Sequence, residues 1–254
     1  MFFDSHAHYD DEKFNEDRRE IIKEAFKNGV SYILNASSSR ESVPKAVSLA
    51  DEYENFYAAI GIHPHDAKDM DEEFIEVLED YAKNKKVVAI GEIGLDYYYD
   101  FSPKSIQKNV FERQINLAKD IKLPIIIHDR DAHEDVLNIV KNEKAKEVGG
   151  VFHCFSGSVE MAKIVMDNNF YISLGGTVTF KNARKAVEVA EYVPIERLLI
   201  ETDCPYLAPE PYRGKRNYSG YVKFVAQKIA DIKGMELEEV AQKTTDNAKK
   251  IFKI

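Results

Sequence analysis

Short apolar runs alternate along the chain with longer stretches in which apolar residues recur every three or four positions, the pattern of βαβ units and a parallel sheet. Eight such runs stand out: Phe2 to Asp4, Tyr32 to Asn35, Tyr57 to Ile62, Val87 to Ile90, Pro124 to Ile127, Val151 to Phe152, Tyr171 to Leu174 and Leu198 to Ile200. Most are nearly continuous in apolar residues, as strands covered on both faces must be. Between them, Val110, Leu117, Ala118 and Ile121, or Ala183, Ala186, Val187 and Ala190, mark helices with one apolar face. Gly29 follows the pattern Ile21, Ile22, Ala25, Phe26, where a helix end favours a residue that tolerates positive φ. A last pattern through Leu237, Val240, Ala241, Ala248, Ile251 and Phe252 predicts a helix that completes the outer layer.

This alternation fits an open doubly wound sheet or a closed (β/α)8 TIM barrel. An open sheet of this kind usually binds its ligand through a Gly-rich first turn, whereas here the first run leads into His6 and His8. Polar residues with metal-ligand chemistry follow many of the runs, and a barrel brings all of those strand ends to one face. The barrel is therefore the expected fold. The chain has 254 residues, close to the roughly 250 of one α/β barrel. No Pro/Gly/Ser-rich linker divides it, so a single domain spanning residues 1–254 is expected.

Composition narrows the function classes. With 44% apolar and 31% charged residues, the chain reads as an ordinary folded protein. The sequence opens without the basic head and apolar stretch of a secretory signal, and no apolar run nears the ~20 residues of a membrane span. A cytoplasmic protein without membrane association is expected, and nothing points to an obligate protein partner. Only Cys154 and Cys204 occur, without a CxxC pattern, which fits a reducing compartment and argues against a thiolate zinc site. A net charge of -9 argues against coating nucleic acid by bulk electrostatics. It leaves room for a nuclease, because bound cations become the largest local charges in a site.

The candidate chemistry sits at the run ends. His6 and His8, two apart, project to the same side of an extended strand and fit either a chelating pair or two polar residues at a strand end. Glu92, between Gly91 and Gly94, could bridge two cations or cap a helix, and Asp96 reads as an orienting neighbour or a plain loop residue. His128, His153 and Asp203 each follow a run, and each alone has an ordinary structural reading. Together the six groups at five strand ends point to cation binding, since buried unpaired charges would cost several kcal/mol each. His63 could hydrogen-bond a substrate oxygen or the nucleophile, while His65 and His133 are expected on an exposed loop and an exposed helix. Cys154 and Cys204 are expected to be small buried residues facing away from the ligands beside them. Arg130, Arg213, Lys215 and Arg216 could reach a phosphate or simply be solvated.

Five strings taken in order, Asp4-Ser5-His6-Ala7-His8, Gly61-Ile62-His63-Pro64, Gly91 through Tyr97, His153-Cys154-Phe155-Ser156-Gly157 and Glu201 through Leu207, resemble the TatD family of metal-dependent deoxyribonucleases over nearly the whole chain. The resemblance implies a barrel of the metal-dependent hydrolase superfamily. It implies one metal among His6, His8, Glu92 and Asp203 and another among Glu92, His128 and His153. It also implies single-stranded DNA as the substrate, trimmed from a 3′ end. One departure concerns the basic loop: many relatives continue Arg-Asn with Glu-Pro, whereas here Asn217 is followed by Tyr218-Ser219.

The expected chemistry is phosphodiester hydrolysis by a water that two divalent ions, Mg, Mn or Zn, make acidic. Glu92 is shared between the ions, Asp203 takes or steers the proton, and His63 assists. Two alternatives stay open. One is a hydrolase of a different ester, lactone or amide on the same barrel, and the other is a non-catalytic metal-binding protein.

Overall fold

The computed structural model describes residues 1–99 and 101–254. Eight parallel strands lie in sequence order: β1 Phe2–Ala7, β2 Val30–Ala36, β3 Phe56–Ile60, β4 Val87–Asp96, β5 Ile125–Arg130, β6 Gly150–Phe152, β7 Phe170–Leu174 and β8 Leu198–Ile200. Helices α1 Arg18–Lys27, α2 Ser42–Glu52, α3 Glu72–Tyr81, α4 Lys104–Ile121, α5 His133–Asn142, α6 Val159–Asp167 and α7 Arg184–Tyr192 connect them, and α8 Val222–Lys233 and α9 Leu237–Phe252 follow. The ring closes just beyond β8. Ala7 pairs with Cys204, the His8 N–H donates to the Cys204 carbonyl at 2.8 Å, and the Asp203 N–H donates to the His6 carbonyl at 2.9 Å. The expected barrel is therefore the observed fold. Among the described residues no helix is long and apolar enough to cross a membrane.

Alternation within the strands divides the apolar residues between two layers. Phe3, Leu34, Ala59, Val88, Ile126, Val151, Tyr171 and Leu199 form one cluster, one residue from each strand, which Ala248 and Phe252 of α9 close from below. Their sequence neighbours, such as Ile33, Val87, Ile125, Ile127, Phe152, Phe170 and Leu198, pack with the helices instead. The predicted closing helix thus has a specific task as the floor of the barrel. Helix α1 ends as the sequence suggests, with Gly29 at φ +90° just past the cap.

Two departures from regular register decide what faces the barrel's upper interior. Pairing of β1 with β2 shifts between Asp4 and Ala7, and pairing of β4 with β5 shifts between Ile90 and Ile93. Beyond each shift the apolar residues, Ala7 in one strand and Ile93 and Leu95 in the other, pack in the outer layer. Side chains alternate, so His6 and His8, and likewise Glu92, Gly94 and Asp96, turn inward. Strand β4 also continues well past Ile90, where the apolar run suggested an end, and β5 runs through Arg130. Glu92 and His128 are therefore strand residues, not loop residues beyond a strand.

Candidate metal centre

Regular alternation carries the ligand positions inward on the remaining strands. Ile126 lies in the inner cluster, so His128 two residues on faces the same way, and Val151 does the same for His153. Glu92 is at the middle, 3% exposed. Its Oε2 lies 3.3 Å from His6 Nε2 and 3.4 Å from His8 Nε2. Its Oε1 lies 2.7 Å from His128 Nδ1, 2.7 Å from His153 Nε2 and 3.5 Å from His63 Nε2. Asp203 brings Oδ1 to 3.3 Å from His8 Nε2 and 3.9 Å from His6 Nε2. All six residues expected to hold metal, with His63, thus meet around one carboxylate.

The bare cluster has the character of a cation site. Imidazole nitrogens face each other at 3.1 Å between His6 and His8 and at 3.3 Å between His128 and His153. Burial pushes the Glu92 carboxyl up, but the surrounding His153, His63 and His6 outweigh it and hold the group well below the usual carboxylate range. Burial opposes charge on His8 as well, yet Asp203 and Glu92 raise it to about 9. His128 and His153 are raised by the same contest between burial and carboxylates. Burial keeps His63 well below its ordinary value, with His128 adding to the effect, so His63 is a neutral hydrogen-bonding ring. Protons therefore gather where a divalent ion would replace them. Three groups bring one ligand atom each to within 4.8 Å of one another: His6, His8 and Asp203; His6, Glu92 and His153; and His63, Glu92 and His128. Mixed imidazole and carboxylate donors in this number suit divalent cations.

Outer partners orient the rings. His8 Nδ1 donates to the Ala36 carbonyl at 2.8 Å, which leaves Nε2 free toward Glu92 and Asp203. His128 turns Nε2 to Asp96 Oδ2 at 3.2 Å and so presents Nδ1 to Glu92. Asp96 is accordingly an orienting residue, with its carboxyl held well below the ordinary value by His128 and His65 against the pull of burial. His6 and His153 stack at a centroid separation of 3.9 Å, and the Nδ1 atoms of both rings are buried without a hydrogen-bond partner.

Several positions differ from their sequence reading. His65, expected on an exposed loop, is tucked against the site with Nε2 2.9 Å from Asp96 Oδ2, because the 3-10 turn opened by Pro64 folds it back. His133 does start a helix and is paired with Asp129, away from the cluster. Cys204 is fully buried, but Cys154 is only partly so and adopts φ +41°. The sequence reading passed over Glu201. It is completely buried, with Oε1 accepting the Cys154 N–H at 2.7 Å and standing 3.5 Å from His153 Nδ1. Its position two residues past the inward Leu199 is the signal that could have found it.

Each of the four basic candidates lies against an aromatic ring or is held by a carboxylate. Arg130, at the end of β5, lies over the Tyr98 ring at 4.0 Å. Arg213 lies over Phe180 at 4.1 Å and Lys215 is 5.7 Å from the Tyr212 ring. Arg216 is held by Asp17 through both terminal guanidinium nitrogens and by the Lys13 carbonyl. The unusual residues after Asn217 are structural: Asn217 donates to the Thr202 and Tyr206 carbonyls, and Tyr218 is buried.

Comparison with known proteins agrees with this geometry. A family model described as TatD related DNase matches residues 3–253. The chain is 53% identical, over the full length of both proteins, to one from Bacillus subtilis named as the uncharacterized metal-dependent hydrolase YabD. It is 33% identical, over 99% of each, to a protein of Escherichia fergusonii named 3′-5′ ssDNA/RNA exonuclease TatD. Among solved structures, the TatD homolog YJJV of Escherichia coli superposes with a TM-score of 0.93 at 30% identity, covering 100% of this chain and 98% of that one.

Proposed function

The chain belongs to the TatD-related DNase family of metal-dependent hydrolases, and from that premise we propose that it hydrolyses phosphodiester bonds, shortening single-stranded DNA from its 3′ end. The observation that carries the reading is the division of Glu92, one oxygen toward His6 and His8 and the other toward His128 and His153. That division suits a pair of cations: His6, His8, Glu92 and Asp203 would hold one, and Glu92, His128 and His153 the other. Bound there, divalent ions supply an acidified water and positive charge for the oxygens of a reacting phosphodiester.

The protein residues then have distinct tasks. Asp203, kept ionised by His8 and His6 against its burial, accepts or steers the proton released by the attacking water. His63, neutral and 3.5 Å from Glu92, is available to hydrogen-bond a phosphoryl oxygen. Arg130, on the same strand as His128 and two residues beyond it, faces the mouth and can pair with a backbone phosphate. The relative named as a 3′-5′ exonuclease supports the choice of polarity and of an unpaired strand.

The test is cleavage of 5′-labelled single-stranded DNA by chelator-stripped protein reconstituted with Mg, Mn or Zn, beside a Glu92→Ala control. Progressive 3′ shortening that depends on the ion and is missing from the control is the expected result. Tight binding of two ions without cleavage of any strand would instead direct the search to a small ester, lactone or amide.

A further inference from the structure

An aromatic row stands at the mouth of the barrel beside the cluster. Tyr98, Tyr99 and Phe101 are 59%, 39% and 57% exposed, an unusual position for large rings. They are nevertheless held in place. Asp96 Oδ1 accepts the backbone N–H of Tyr98 at 3.0 Å and of Tyr99 at 2.9 Å. The other oxygen of that carboxylate meets His65 and His128. The rings of Tyr99 and Phe101 lie parallel, 6° apart in plane with centroids 5.2 Å apart, and His65 meets both edge-on. The Arg130 guanidinium lies 4.0 Å over Tyr98 and 4.9 Å from Tyr99. One carboxylate thus fixes a centre-facing histidine on one side and a row of exposed rings capped by a cation on the other.

We propose that this row is a stacking platform for the unpaired bases of the strand whose phosphodiester lies at the metal centre, with Arg130 set to pair with a phosphate between base and centre. The proposal rests on the phosphodiester reading given above. Three features select the occupant. A chain of net charge -9 cannot draw a polyanion by bulk electrostatics, so its affinity must come from a few local contacts. Aromatic faces supply such contacts to any base, but only when the base is unstacked from a complementary strand. Three rings are also far too small a surface for a stable protein interface, which buries roughly 800 Å² on each partner.

The test compares two 5′-labelled strands with identical phosphates, one carrying ordinary bases throughout and one abasic at its 3′-terminal positions. Metal-reconstituted wild type, Tyr98→Ala, Phe101→Ala and the double variant are assayed, with Tyr192→Ala, an exposed residue on α7, as a control. Fluorescence anisotropy of the same strands in EDTA gives a second readout that does not depend on turnover. For wild type, loss of the bases should raise KM roughly tenfold, the scale of one stacked base. The double variant should show that higher KM on the ordinary strand, no further change on the abasic strand, and the same order in anisotropy. Equal KM for both strands in wild type, or equal losses on both in the variants, overturns the platform while leaving the nuclease reading in place. Dissociation of a dimer by the variants without any dependence on bases overturns it in favour of self-association. Wild type that cleaves neither strand removes the nuclease reading; base-dependent anisotropy then keeps the platform, and base-independent binding or none removes it.

Discussion

Replacing Glu201 with Gln tests whether a carboxylate behind the ligands sets the centre's grip on a cation. The side chain is fully buried, with Oε1 on the Cys154 N–H at 2.7 Å and 3.5 Å from His153 Nδ1, while Oε2 has no partner. Gln keeps the volume and, with its amide oxygen toward Cys154, keeps that hydrogen bond. What it removes is the negative charge beside His153 Nδ1. A small rotation of the ring closes the remaining gap, and a carboxylate there fixes the proton on Nδ1 and makes Nε2, facing Glu92, the stronger donor to a metal. Losing such a partner costs about 10- to 100-fold in metal affinity, which is about 1.4 to 2.7 kcal/mol. The metal-free fold has less at stake, because one imperfectly satisfied buried group replaces another. Its unfolding free energy should change by no more than about 1.5 kcal/mol. Chelator competition for zinc at pH 8 reads the first quantity, and urea unfolding in EDTA followed by circular dichroism reads the second. Affinity within twofold of wild type would refute the reasoning, and so would a loss of affinity matched by an equal loss of stability.

Further outcomes follow from other parts of the molecule. Gly94→Ala at φ +144° would place a Cβ 2.0 Å from the His128 carbonyl oxygen, a backbone atom that cannot yield, so urea unfolding should show a loss of about 3 kcal/mol or more; wild-type stability would contradict the packing of β4 on β5. Zinc or manganese at about 100 times its dissociation constant should raise the unfolding free energy by about 2.7 kcal/mol, and EDTA should reverse it; an unchanged midpoint means the native cluster does not prefer cations. Asp17 is held below its ordinary 3.8 by the hydrogen bonds of Arg216, so its contribution is present above that pH and is lost as pH falls through the lowered value. Both partners are well exposed, so Asp17→Asn should cost at most about 1 kcal/mol at pH 7, and the deficit should shrink as pH falls below the ordinary carboxylate value; a deficit that does not shrink in acid assigns the effect to something other than the ion pair.

Hydropathy made the barrel legible because each strand has at least a short apolar stretch, and the run at Leu198 to Ile200 matches β8 residue for residue. It set the end of β4 too early for a physical reason. Past Ile90 the inward positions are Glu92, Gly94 and Asp96, so the strand continues through residues that a hydropathy pattern takes for a loop. The candidate ligands were legible through their chemistry and their place at strand ends. Their inward orientation on β1 and β4 was not, because it depends on register shifts that come from pairing with a neighbouring strand. His65 was misplaced since a turn, and no periodicity, returns it to the site. The aromatic row was invisible as a unit, because only the contacts of Asp96 and Arg130 show that Tyr98, Tyr99 and Phe101 form a surface.

The seam of the barrel has a consequence for the order in which the protein can become functional during synthesis. Ring closure and assembly of the centre use the same stretch of backbone: Cys204 pairs with Ala7, Asp203 bonds to His6, and Thr202 donates to Asp4 from 198 positions along the chain. A nascent polypeptide emerging from the ribosome can form βα units one after another, yet it holds His6 and His8 without their final carboxylate until Asp203 has been made. The contact that brings Asp203 to His6 and His8 spans most of the chain and carries a correspondingly large loop-closure cost, so a partly translated chain is spared from acting as a hydrolase before Asp203 has joined the centre.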